Sequence, residues 1–87
     1  MTQQFRIHWH DAAKSDIRKL DRPTAMRIFA AVQHFAVSAS GDVKPLYGTM
    51  ADSWRLRTGD YRVLFTLEDN TMHIAGVRHR SESVLNP

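Results

Sequence analysis

The chain has 87 residues, no cysteine, and 12 Lys plus Arg against 9 Asp plus Glu, for a formal net charge of +3. That length admits one hydrophobic core, so residues 1–87 are expected to form a single domain, and the absence of cysteine excludes disulfides and thiolate zinc sites. The opening Met1-Thr2-Gln3-Gln4 lacks a basic start followed by an apolar run, and no apolar stretch approaches the length of a membrane span, so a soluble cytoplasmic protein is expected.

Phe5, Ile7 and Trp9 alternate with Arg6, His8 and His10, which predicts a half-buried strand. Asp11 suits a helix N-cap or first turn. Ala13, Ile17 and Leu20 then recur at helical spacing, with Lys14, Arg18 and Lys19 between them. Asp21-Arg22-Pro23 restarts the chain as a cap followed by a first-turn proline. Ala25, Ile28, Phe29, Val32, Phe35 and Ala36 give a second helix a wide apolar stripe. The turn between the helices is short, which predicts an antiparallel hairpin. Ser38 to Lys44 is polar, contains Gly41 and reads as loop; Leu46 and Tyr47 are expected to pack under a sheet edge.

A three-stranded meander should follow. Trp54 and Leu56 alternate with Arg55 and Arg57, and Tyr61, Val63, Phe65 and Leu67 alternate with Arg62, Leu64 and Thr66. Gly59-Asp60 between them suits a type II′ hairpin turn, which sets Leu56 opposite Val63, Trp54 opposite Phe65 and Arg57 opposite Arg62. After an Asp69-Asn70 turn, Thr71 to His79 forms the last strand, with Met72 and Ile74 facing Leu67 and Phe65. Gly76 interrupts the alternation. With a bulge there, Arg78 joins the other arginines on the open face; without one it points to the core. The expected class is α+β, in the order β-α-α-β-β-β, with a helical hairpin on one face of a small antiparallel sheet. Phe5, Ile7, Trp9, Ile17, Leu20, Phe29, Val32, Trp54, Leu56, Val63, Phe65 and Ile74 should be buried.

The basic residues are nine arginines and only three lysines, and arginine suits bidentate contact with phosphate. Arg55, Arg57 and Arg62 are expected together on the open sheet face. His8-x-His10 places two imidazoles on one side of a strand, but no cysteine or carboxylate spacing completes a ligand set. The two read as surface histidines, with no metal. Lys14, Arg18 and Lys19 read as a solvated helix face, with nucleic-acid contact as the alternative. Trp9 and Trp54 fall on apolar faces and read as core.

Leu46-x-Gly48, the run Trp54-Arg55-Leu56-Arg57-Thr58-Gly59-Asp60-Tyr61-Arg62-Val63, and Gly76-Val77-Arg78-His79-Arg80 resemble the RelE/ParE toxin superfamily, whose order of elements matches over almost the whole chain. RelE-like members cut messenger RNA in the ribosomal A site, and ParE-like members poison DNA gyrase; an antitoxin holds both inactive. The resemblance implies the toxin of a type II toxin–antitoxin system of the plasmid-stabilising kind, acting without a cofactor. Its partners would be a cognate antitoxin, with which it forms a hetero-oligomer, and the ribosome and messenger RNA, with no membrane involved. By position it assigns Arg55, Arg62 and Arg78 to the catalytic cluster. The family tyrosine near the C-terminus falls at Val84, so His79, between Arg78 and Arg80, becomes the candidate for proton transfer, with Tyr61 second. Arg57, Arg80, Lys14 and Arg18 would contact RNA. Three functions stay open at this point: a ribosome-dependent endoribonuclease, a gyrase inhibitor, and a degenerate member that only binds antitoxin.

Overall fold

The computed structural model describes residues 5–46 and 53–82. The expected order of elements holds, with one strand added. Strand β1 (Arg6–Trp9) leads into α1 (Asp11–Arg18) and α2 (Arg22–Ser38). Then come β2 (Asp42–Pro45), β3 (Ser53–Thr58), β4 (Tyr61–Glu68), β5 (Thr71–His79) and a 3-10 turn at Arg80–Glu82. The five strands form one sheet in the order β1-β5-β4-β3-β2.

Local chemistry accounts for the element ends. Asp11 is in the first turn of α1, and His10 is the cap residue. Asp21 caps α2: its carboxylate accepts from the Thr24 backbone N–H at 3.2 Å and from the Thr24 hydroxyl at 2.7 Å. Helix α2 ends at Ala39, which takes a left-handed conformation with φ 57° and donates its N–H to Phe35 O. The β3–β4 turn has φ 59° at Gly59 and no positive φ at Asp60, as a type II′ turn requires. Asp69 and Asn70 both have positive φ, the signature of a type I′ turn, so β4 and β5 also meet through a two-residue loop.

The hairpin register is the expected one, with Trp54 opposite Phe65, Leu56 opposite Val63 and Arg57 opposite Arg62. Phe65 and Leu67 meet Ile74 and Met72 on β5. The core lies between this face and the helices, with Ile28, Val32, Phe35, Leu56, Val63, Phe65, Met72 and Ile74 at its centre. Phe5, Ile7, Trp9, Ile17, Leu20 and Trp54 are half-buried against it.

Three expectations need correction. The segment read as loop contains β2, an edge strand whose Val43 pairs with Leu56 and whose Lys44 pairs with Arg55. The sheet is mixed rather than wholly antiparallel, because β1 runs parallel to β5, with His8 opposite His73. Phe29 is 40% exposed, since it projects from α2 over Trp9, ring centroids 5.2 Å apart, at the rim of the core. The expectations for Tyr47, Gly48 and Val84 lie outside the described residues.

Candidate functional site

The sheet face away from the helices collects the arginines in rows. Arg57, Arg62 and Arg78 stand directly opposite one another across β3, β4 and β5, with Asp42 of β2 at the end of that row. The next row holds Lys44, Arg55, Leu64 and Gly76. A bulge places Arg78 there. Leu64 pairs with Gly76 and Phe65 with Ile74, so Ala75 is the extra residue and Val77 regains the core side opposite Val63. Like charges directly opposite in a sheet are unfavourable, and here two such contacts share Arg62.

Among the described residues, a close ion pair neutralises one end of the row. Arg78 Nη1 donates to Asp16 Oδ2 of α1 at 2.7 Å and to Val77 O at 3.1 Å. The same Asp16 oxygen accepts the Val77 backbone N–H at 2.9 Å. It therefore satisfies a β5 edge donor beyond the last residue that β1 pairs. Gly76 makes room for this contact, because a Cβ there would lie 2.9 Å from Arg78 Nη1 and 3.3 Å from Asp16 Oδ2. Arg55 and Arg62 differ. Arg55 Nη1 and Arg62 Nε are shielded from water and find no acceptor among the described residues. Packing among the described residues shields these two nitrogens without supplying an acceptor.

The row opens into a cleft of about 330 Å³ at the β3–β4 turn, lined by Arg57, Gly59, Asp60, Tyr61, Arg62, Arg80 and Ser81. Arg80 is anchored there, its N–H donating to Asp60 O at 2.8 Å and its Nε 3.7 Å from Asp60 Oδ1. Tyr61 is the wall between this cleft and a second of about 310 Å³, lined by Asp16, Lys19, Leu20, Tyr61, Val77, Arg78, His79 and Glu82. His79 meets Tyr61 edge-on, ring centroids 5.1 Å apart. Its Nδ1 accepts the Ser81 N–H at 3.1 Å, and its own N–H donates to Glu82 Oε1 at 2.8 Å. A third cleft of about 310 Å³, lined by Trp9, Lys14, Ile17, Arg18 and Phe29, belongs to the helical layer.

The model of the ParE toxin family of type II toxin–antitoxin systems matches residues 7–84. The chain belongs to that family. No curated protein matches the toxin's sequence. Its fold is that of several solved toxin–antitoxin structures. The RelBE2 complex of Mycobacterium tuberculosis is similar with a TM-score of 0.80 and 23% identity, over 92% of this chain and 95% of that one. The archaeal RelE–RelB complex from Pyrococcus horikoshii OT3 gives a TM-score of 0.75 at 22% identity, over 93% and 100%. The YoeB–YefM complex from Staphylococcus aureus gives 0.67 at 17%, over 87% and 97%.

In the toxin, the residues singled out from sequence separate into groups. Arg57, Arg62 and Arg80 share the first cleft with Tyr61. Arg78 stands in the same row but turns toward Asp16 and the second cleft, where His79 also lies. Arg55 sits one row away, beside Lys44. Lys14 and Arg18 are in the helical cleft, off the open face. Lys44 was missed from sequence because its segment read as loop; the signal was Val43, the one apolar residue in the Asp42-Val43-Lys44 alternation.

Proposed function

We propose that this toxin is a metal-independent endoribonuclease that cuts messenger RNA on the ribosome. The observation that carries the reading is the line of Arg57, Arg62 and Arg78 across three adjacent strands. Such a line costs folding stability, and a bound polyanion relieves it. In RNA cleavage the 2′-hydroxyl attacks the adjacent phosphorus, the bond to the 5′-oxygen breaks, and a cyclic phosphate and a free 5′-hydroxyl result. A base takes the 2′-proton and an acid returns one to the leaving oxygen. Guanidinium groups stabilise the pentavalent intermediate through forked, charge-assisted hydrogen bonds. Arg57, Arg62 and Arg80 line one cleft in a position to do so, and Tyr61, which lines the same cleft, is the residue to exchange protons. His79, on the far side of Tyr61, serves as a second-cleft contact or through the tyrosine.

The toxin acts in the cytoplasm and is held inactive by a cognate antitoxin, as the solved relatives are toxin–antitoxin complexes. An acidic, partly disordered antitoxin segment that folds on binding would neutralise the arginine row and block RNA at once. No described helix is long and apolar enough to cross a membrane.

A second reading, inhibition of DNA gyrase without chemistry, draws support from the ParE family match and from His79 lying off the arginine row. Induction in growing bacteria separates the two. New messenger 5′ ends with unchanged plasmid supercoiling support the nuclease. Intact messenger RNA with altered supercoiling during growth arrest overturns it in favour of gyrase.

A further inference from the structure

The histidines at the β1 side of the open face take no part in the nuclease reading. His8 is on β1 and His10 just past its end, and the parallel pairing sets His73 of β5 opposite His8. Ring centroids are 4.5 Å apart for His8 and His10, 5.7 Å for His8 and His73, and 5.4 Å for His10 and His73. His10 Nε2 lies 3.3 Å from His73 Nδ1. Imidazoles sharing one tetrahedral ion at about 2.0–2.1 Å hold their donor nitrogens about 3.3 Å apart and their ring centres about 5 Å apart. The observed spacings bracket those values. We propose that His8, His10 and His73 bind a first-row divalent transition ion that clamps β1 to β5.

As they stand, no group of three His, Cys, Asp or Glu side chains among the described residues could hold a metal ion, so the site forms only when rings turn. His10 and His73 already stand at chelating distance, joined by a hydrogen bond in which one ring donates and the other accepts. Binding requires the donating ring to shift its proton to its other nitrogen, so that both facing nitrogens offer lone pairs; no net proton is released from a neutral pair. It also requires the His8 ring to turn. His8 and His10 are exposed, so their rings turn among staggered rotamers without displacing the core. Water fills the fourth position, as at open three-histidine sites. An all-imidazole set selects Zn²⁺, Ni²⁺ or Cu²⁺ over Mg²⁺ and Ca²⁺, which prefer oxygen. The sequence alone concealed this site because its third ligand is 63 residues from His10.

The test is calorimetric titration of the untagged chain with ZnCl₂ and NiCl₂, with MgCl₂ as control. One Zn²⁺ or Ni²⁺ per chain is expected, and no heat from Mg²⁺. His73→Ala and His8→Ala should each weaken binding by roughly tenfold or more. His34→Ala, an exposed histidine on α2, should leave it unchanged. Zn²⁺ should raise the Tm of wild type and His34→Ala but not of His73→Ala. Should His73→Ala fail to fold, the exposed His8→Ala variant decides. No saturable binding, or binding undiminished in the folded variants, overturns the proposal and leaves three surface histidines. Neither result bears on RNA cleavage.

Discussion

Two acidic residues show how much a single carboxylate can hold. Asp16 is 22% exposed at its side chain and serves both the Val77 N–H and the Arg78 guanidinium. Asp16→Ala leaves a part-buried backbone donor without its acceptor, which costs about 1–3 kcal/mol. Arg78→Ala removes an ion pair whose arginine is 44% exposed and the bond to Val77 O, but also relieves the like-charge contact with Arg62, for a net loss under about 1 kcal/mol. Urea unfolding of both variants should show Asp16→Ala as the more damaging; equal losses would mean the backbone cap contributes nothing. At Asp21, the Thr24 hydroxyl and then the Thr24 N–H hold the carboxyl below its usual value of 3.8. The folded form therefore prefers the carboxylate more than the unfolded chain does. Its contribution is complete above the unfolded value and is lost as pH falls through the lower folded value. The gap in Tm between wild type and Asp21→Ala should be widest near neutrality and narrow in acid. Asp21→Ser keeps a capping oxygen without a charge, so its own gap from Asp21→Ala should hold steady with pH.

At the scale of elements, what was legible depended on whether the signal was local. Gly59-Asp60 fixes the β3–β4 register because the turn and both apolar faces agree over a few residues. Strand β2 was not legible: of its four residues only Val43 is even half-buried, so an edge strand shows almost no alternation. The bulge at Ala75 left two patterns open, and packing of Val77 opposite Val63 chose between them. The β1–β5 pairing joins residues 8 and 73 through no local cue, so the histidine cluster was invisible and the sheet was read as wholly antiparallel. The arginine row was legible as a face, whereas the turning of Arg78 toward Asp16 depends on α1 lying against the β5 edge. One element end carries strain the sequence does not advertise. Ala39 sits at φ 57° where glycine is at ease. Ala39→Gly should raise stability, by up to about 1 kcal/mol once the greater freedom of glycine in the unfolded chain is set against the relieved strain. A lower urea midpoint for the variant would show that the strain is negligible.

For the molecule as a whole, folding and function pull in opposite directions at Arg62. It stands between Arg57 and Arg78, each directly opposite, and its Nε is sealed from water with no acceptor among the described residues. Each like-charge contact costs a few tenths to about 1 kcal/mol, and an unpaired donor costs about 1–3 kcal/mol. A residue chosen for stability would be unbranched and apolar. Arg62→Met keeps a stem of similar reach while removing the charge and the orphaned N–H, so it should stabilise the isolated chain by about 1 kcal/mol in urea unfolding. The same change removes the central donor of the proposed phosphate site, and messenger cleavage should fall by about 100-fold or more. Arg62→Lys keeps the charge without the fork and should restore cleavage only in part, with no gain in stability. Arg57→Ala, at the exposed end of the cleft, should weaken cleavage less, and increasingly little as salt rises. The informative result is the pair of signs in Arg62→Met. A merely solvated arginine would leave both readouts near wild type, and a structural one would lower both together. Only a residue held against its folding preference for an anionic substrate gives greater stability and lost cleavage in one variant.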